Sequence, residues 1–181
     1  MTDILFLSHT DIRSDSRILK SMLVALDSNL SVYGIGISQV DGSAISSDEV
    51  KEKTIAVKLF SRKLFFIPKM IRHVISVVEL TFKVFPKSLK AKPKIVHCND
   101  TIVLPLSILI KIFTKCKIIY DAHELESDRN GLSKIGGRMT LLVEKLSWSF
   151  IDSLITVSPS INKWYMDNIG PKNSSVILNS P

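Results

Sequence analysis

Seven short apolar runs, separated by longer amphipathic stretches, constrain this chain more than any other feature of it. Residues 4–8 read ILFLS, 30–37 read LSVYGIGI and 54–60 read TIAVKLF. Residues 94–98 (KIVHC), 117–120 (KIIY), 153–157 (SLITV) and 175–178 (SVIL) follow. Runs of this length without polar alternation suit strands covered on both faces. Between them the apolar residues recur at helical spacing, as at Ile18, Leu19, Met22, Leu23 and Leu26, behind a Ser14 or Asp15 able to cap the helix. The spacing predicts helices over 15–26, 69–85 (opened by Pro68), 101–113 (Pro105 in the first turn), 138–150 and 159–169. Residues 38–50 are rich in Ser, Asp and Gly and read as a loop.

Strands alternating with helices imply right-handed crossovers and a parallel sheet. The expected fold is α/β: one three-layer Rossmann-like domain over residues 1–181, with a mostly parallel sheet of about seven strands and helices on both faces. The chain stops at Asn179-Ser180-Pro181, directly after a strand, which reads as a cut at a domain boundary. The N-terminus, Met1-Thr2-Asp3, is acidic where a secretory signal is basic, and the longest uncharged apolar run, 101–110, is too short to span a bilayer. Cys98 and Cys116 form no CxxC pair, which disfavours a disulfide scaffold or a structural zinc and makes a reducing, cytoplasmic location the expectation.

Charge is uneven. The chain carries 24 Lys and Arg against 17 Asp and Glu, and segment 58–94 holds ten of the basic residues with Glu79 as its one acid. That segment is +9 and the rest of the chain −2. Leu64, Phe65, Phe66, Ile67, Phe82 and Phe85 lie among the charges. Basic amphipathic segments with aromatics lie on anionic membrane surfaces, so a peripheral contact with such a membrane is one expectation; a helix packed on the sheet with a solvated basic edge is the other. No nucleic-acid motif is present and no nucleic-acid partner is expected.

Ligands of parallel sheets bind beyond the carboxyl ends of the strands. His9, Asp11, Arg13 and Arg17 follow the first run; Asn99 and Asp100 the fourth; Asp121, His123 and Glu124 the fifth; Ser158 the sixth. In the strand order 3-2-1-4-5-6-7, the first, fourth and fifth loops meet at one cleft. His97, inside its run, reads as a core residue, and Asp100 as a cap of the following helix. Arg13 and Arg17, near a helix start, are placed to meet phosphate together with its amides. No metal-ligand spacing links the histidines, so no metal is expected. Gly34 and Gly36 lack the third glycine of a dinucleotide site.

Residues 94–126 (KIVHCNDTIVLPLSILIKIFTKCKIIYDAHELE), 152–181 (DSLITVSPSINKWYMDNIGPKNSSVILNSP) and the opening ILFLSHTDIRSDSRILKSMLVAL resemble the N-terminal domain of the glycosyltransferase family four (group 1) enzymes. The resemblance implies the GT-B fold, in which two Rossmann-like domains face each other across a cleft. It implies that this half binds a glycan or lipid-linked acceptor, and that an absent C-terminal domain binds most of the nucleotide-sugar donor. No pair of glutamates eight positions apart, the donor signature of that other half, occurs here, and no D-x-D. The implied reaction is retaining, metal-independent transfer of a sugar to a hydroxyl, with no cofactor and with the isolated half inactive. His123 matches the histidine that reaches the transferred sugar. His9-Thr10-Asp11-Ile12-Arg13 stands where many members carry a glycine pair. Asp100, Asp121 and Glu124 are the general-base candidates by position. A non-enzymatic Rossmann-type binding or interaction module and a metal-dependent hydrolase are the rival readings.

Overall fold

The computed structural model describes residues 1–38, 50, 52–128 and 132–178. Residues 39–49 of the expected loop and the Asn179-Ser180-Pro181 terminus lie outside the described residues. The apolar runs become the strands β1 (Thr2–Leu7), β2 (Val32–Ile37), β3 (Thr54–Val57), β4 (Pro93–Cys98), β5 (Lys117–Ala122), β6 (Ser153–Thr156) and β7 (Ser174–Val176). They form one sheet in the order β3-β2-β1-β4-β5-β6-β7, every neighbouring pair parallel. The helices are α1 (Ser16–Asp27), α2 (Lys69–Ala91), α3 (Leu104–Thr114), α4 (Lys134–Ser147) and α5 (Pro159–Asn168).

Side chains alternate across a strand, so β1 feeds two cores. Phe6 turns toward α1 and packs with Ile18, Met22 and Val32. Leu5 and Leu7 turn the other way, into a larger core with Leu80 of α2, Ile110 of α3, Tyr120 of β5 and Tyr165 of α5. Helices therefore cover both faces, α1 on one and α2, α3 and α5 on the other, with α4 packed beside α3.

Among the boundaries that differ from the sequence reading, three have a clear physical reason. Helix α2 runs through Pro86 to Ala91 rather than ending at Phe85. Proline removes one backbone donor, but Pro86 is on the exposed side, and buried Leu80, Val84 and Ser88 hold the helix to the core on both sides of it. Helix α4 begins at Lys134 rather than at Arg138, because Ser133 Oγ accepts the Gly136 amide as its cap. Gly137 is needed there: a Cβ at this position would lie 2.3 Å from the Ser127 carbonyl oxygen. Strand β5 extends past Tyr120 to Asp121 and Ala122, which pair with Ile155 and Thr156 of β6. Asp121 is therefore a strand residue and not a loop residue.

Candidate functional site

The loops after β1, β4 and β5 meet at the carboxyl edge of the sheet because these three strands are adjacent. The loop after β1 folds back over β2: the Ile37 amide donates to the Thr10 carbonyl at 2.9 Å. The two glycines of β2 make that approach possible, since a Cβ at Gly36 would lie 2.8 Å from both Ile12 Cβ and the Thr10 oxygen. The G-x-G pair thus serves loop packing.

Two His–Asp pairs stand at this edge. His9 Nδ1 lies 2.6 Å from Asp100 Oδ2, and Ser8 Oγ donates to the same oxygen at 3.3 Å. The His9 nitrogen makes no aligned hydrogen bond, so it touches Asp100 without being satisfied by it. Asp100 precedes a 3-10 turn (Thr101–Val103) without capping it by its side chain. The expectation of a cap is corrected: the carboxylate turns instead to Ser8 and His9. In the second pair His123 Nδ1 is 3.1 Å from Asp121 Oδ1. Asp121 is 4% exposed, and burial pushes its carboxyl up to about 6; Arg17 opposes the rise, while Asp15 and Asp100 add to it. These couplings place Asp100, Asp121 and Arg17 in one electrostatic neighbourhood.

Among the described residues three buried nitrogens of this edge have no hydrogen-bond partner: His9 Nδ1, which lies against Asp100, and His123 Nε2 and Arg17 Nη1. Buried donors and acceptors are nearly always satisfied. An edge that leaves a ring nitrogen and a guanidinium nitrogen unpaired is suited to a ligand rich in hydroxyl and anionic oxygens.

The other expected residues serve the scaffold in identifiable ways. Asp15 caps α1 as expected, accepting from the Arg17 and Ile18 amides. The same bonds correct the expectation that these amides meet phosphate, because an anionic side chain already occupies them. Arg13 donates to Thr54 through Nε at 3.2 Å and Nη2 at 3.0 Å, and so ties its loop to β3. Asp11 accepts the Arg13 amide and is 6% exposed. Asn99 is 1% exposed; its amide donates to the Leu7 and His97 carbonyls and joins the ends of β1 and β4. His97 is a core residue, stacked near Phe6 and bonded to Asn99, and burial holds its ring pKa down to about 4. Ser158 caps α5 through the Ile161 amide, and Glu124 is exposed beside His123. Sequence reading missed Ser8, whose hydroxyl lies 2.7 Å from that of Thr10; a small polar residue at a strand end carries no distinguishing signal. Among the described residues no three His, Cys, Asp or Glu side chains converge as a metal site requires. A groove of about 860 Å³ opens at the opposite edge of the sheet beside Lys92, Lys94, Lys115 and Lys117, and shares no residue with the cluster.

No family model matches the sequence, and a comparison with curated proteins finds no match. Solved structures do match in fold. Sucrose-phosphate synthase from Thermosynechococcus elongatus superposes with a TM-score of 0.70 at 15% identity, covering 98% of this chain and 48% of that one. HepE from Anabaena, in complex with UDP-glucose, gives 0.64 at 13% identity, over 100% of this chain and 44% of that one. Arabidopsis thaliana UGT89C1 with UDP-L-rhamnose gives 0.65 at 10% identity, over 99% and 52%. The chain spans about half the length of these proteins. The seven-stranded parallel sheet with its flanking helices therefore has the fold of one Rossmann-like domain of the GT-B glycosyltransferases.

Proposed function

We propose that the chain is the acceptor-side half of a retaining glycosyltransferase, one that passes a sugar from a nucleotide-sugar donor to a hydroxyl of a glycan or lipid-linked acceptor. In this reading the donor-binding half lies in polypeptide beyond residues 1–181, and neither a metal nor a cofactor is obligatory. The observation that carries it is the pair of unpartnered buried nitrogens, His123 Nε2 and Arg17 Nη1, on a fold shared with proteins solved with UDP-sugars.

The chemistry follows from the partners. With Asp121 ionised, the His123 Nδ1–H donates to its carboxylate, which leaves the lone pair on Nε2. Nε2 then accepts a hydrogen bond from a hydroxyl of the transferred sugar, and Asp121 acts through it as a positioning residue. Arg17 offers an unused N–H of its planar guanidinium to a donor phosphate oxygen. Asp100, held by Ser8 and beside His9, and exposed Glu124 are the carboxylates placed to take the acceptor proton. Stabilisation of the departing diphosphate falls largely to the other half. The reading places the protein on the cytoplasmic side of a membrane, with segment 58–94 toward anionic lipid.

The test is transfer from a panel of UDP-sugars. Residues 1–181 alone give no turnover; steady transfer by them overturns the half-enzyme assignment. In the enzyme with both halves, His123→Ala lowers transfer at least about tenfold, the scale of one lost transition-state contact, with the fold intact. An unchanged rate returns His123 to a structural role.

A further inference from the structure

The outward side of the α2–α3–α4 layer serves neither the core nor the candidate site, and it is apolar in two stripes. On α2, Ile71, Val74, Val78 and Phe82 recur at helical spacing and are 49–77% exposed. On α4, Ile135, Met139, Leu142 and Leu146 recur in the same way and are 48–69% exposed. Ile112 and Phe113, both more than half exposed, end α3, which packs against both helices. At one end of the layer Phe65 and Phe66 are 81% and 82% exposed, in the turn that leads into α2. That turn is held in place. Glu79 accepts the Phe60 and Ser61 amides at 2.8 Å each, and the Arg72 guanidinium lies 5.5 Å from the centre of the Phe65 ring.

Charge selects the occupant. The three helices carry nine Lys and Arg against two Glu. Glu144 is fully buried, and Glu79 is taken up by the two amides and Lys83. The face therefore presents cations and apolar groups without a free helical carboxylate. A second copy of the same face would set like charges against each other. The sequence carries no nucleic-acid-binding motif, which disfavours nucleic acid. An anionic lipid surface satisfies both features at once: the apolar side chains enter the headgroup–acyl boundary and the lysines meet lipid phosphates. Arg62 Nη2 also donates to the His9 carbonyl at 3.4 Å, so the aromatic turn adjoins the loop that carries His9.

We propose that the whole outward face of α2, α3 and α4 lies on an anionic bilayer, with Phe65 and Phe66 inserted, so that the candidate cleft opens beside the lipid and takes a lipid-borne acceptor. The inference rests on the membrane contact of the proposed function and widens it from segment 58–94 to α4, which no sequence signal placed there.

Cosedimentation with vesicles of equal parts phosphatidylglycerol and phosphatidylcholine, against phosphatidylcholine alone, tests it at low and high salt. The wild-type chain binds the anionic vesicles at low salt and releases them at high salt. Phe65→Ser/Phe66→Ser lowers affinity about tenfold or more, and Met139→Ser/Leu142→Ser about fivefold or more, because each removes apolar groups from the interface. All four positions are exposed, so circular dichroism and the thermal midpoint stay at wild-type values. Loss with the phenylalanine pair alone confines the contact to segment 58–94 and overturns the part assigned to α4. Absence of wild-type binding at low salt overturns both the inference and the membrane clause of the proposed function. A concentration-dependent dimer weakened by Met139→Ser/Leu142→Ser, without vesicle binding, assigns the face to a second copy and overturns it too. No donor or acceptor enters the assay, so the transferase reading is untouched by any of these results.

Discussion

Two buried carboxylic acids attend neighbouring residues of β5 and do opposite things. Asp121 points to the α1 side of the sheet, and Glu144 of α4 reaches Tyr120 on the other side. Both are nearly inaccessible, and burial raises the pKa of each above the ordinary carboxylate range. Their partners differ. Glu144 Oε1 accepts from the Tyr120 hydroxyl at 2.8 Å and the Tyr165 hydroxyl at 2.6 Å, and Thr101 Oγ1 lies 2.7 Å from the Tyr120 oxygen. That network ends in the core and joins β5, α4, α5 and the turn after β4. Asp121 is bonded to a histidine whose second nitrogen is unpaired, at a loop edge of the sheet. Glu144 Oε2 is also buried without a hydrogen-bond partner among the described residues, so burial, a shifted pKa and an unpaired atom do not by themselves distinguish a brace from a site; whether the chain of partners ends in the core or at a loop edge does.

Three substitutions break or sharpen this contrast. Glu144→Ala has the largest effect, a loss of about 3 kcal/mol or more in urea unfolding, because it opens a cavity, strands the buried Tyr165 hydroxyl and leaves the Tyr120 hydroxyl with Thr101 alone. A loss below about 1 kcal/mol would show that the network is no brace. Gly137→Ala comes next. It forces α4 away from the Ser127 carbonyl, in the segment that follows His123, at a cost of about 2 kcal/mol by the same unfolding measurement. Wild-type stability there would mean that the turn yields and does not anchor the helix.

The smallest effect is the most specific. Asp121 takes up its proton near pH 6 in the fold and near its ordinary 3.8 when unfolded. The folded state therefore binds the extra proton between these values, and stability from this group rises as pH falls from about 6 to about 4. His97, with its ring held near 4, acts in the opposite sense, favouring the fold above the ordinary histidine pKa of 6.5 and losing that contribution as the solution is acidified. The difference in stability between wild type and Asp121→Asn removes the His97 part. It grows in favour of the wild type as pH drops through that window and is level above it. A difference that is level throughout, or of the opposite sign, would place Asp121 in contact with water like an ordinary surface acid.

The strands and the caps were legible because their causes are local. Continuous apolar runs, the Asp15 side chain before α1 and Pro105 in a first turn each act within a few residues. His97 was legible as a core residue for the same reason. Asp100 was not, since its choice between its own helix and His9 depends on two loops brought together from distant parts of the chain. The run of α2 through Pro86 and of α4 through Gly136-Gly137 was not legible for a related reason: packing across the layer outweighs intrinsic helix propensity.

By itself the sequence determined a parallel α/β sheet, because hydrophobic periodicity and the handedness of crossovers follow from the chain's own chirality; the order of its strands, and with it the loops that gather at one edge, belongs to the tertiary structure. Tertiary structure decided which of the gathered groups are spoken for. Asn99 and Arg13 hold strands together, Asp100 meets His9, and His123 and Arg17 each retain a nitrogen without a partner. Hydrogen bonding is a matter of ångströms between groups far apart in sequence, and no spacing along the chain encodes it.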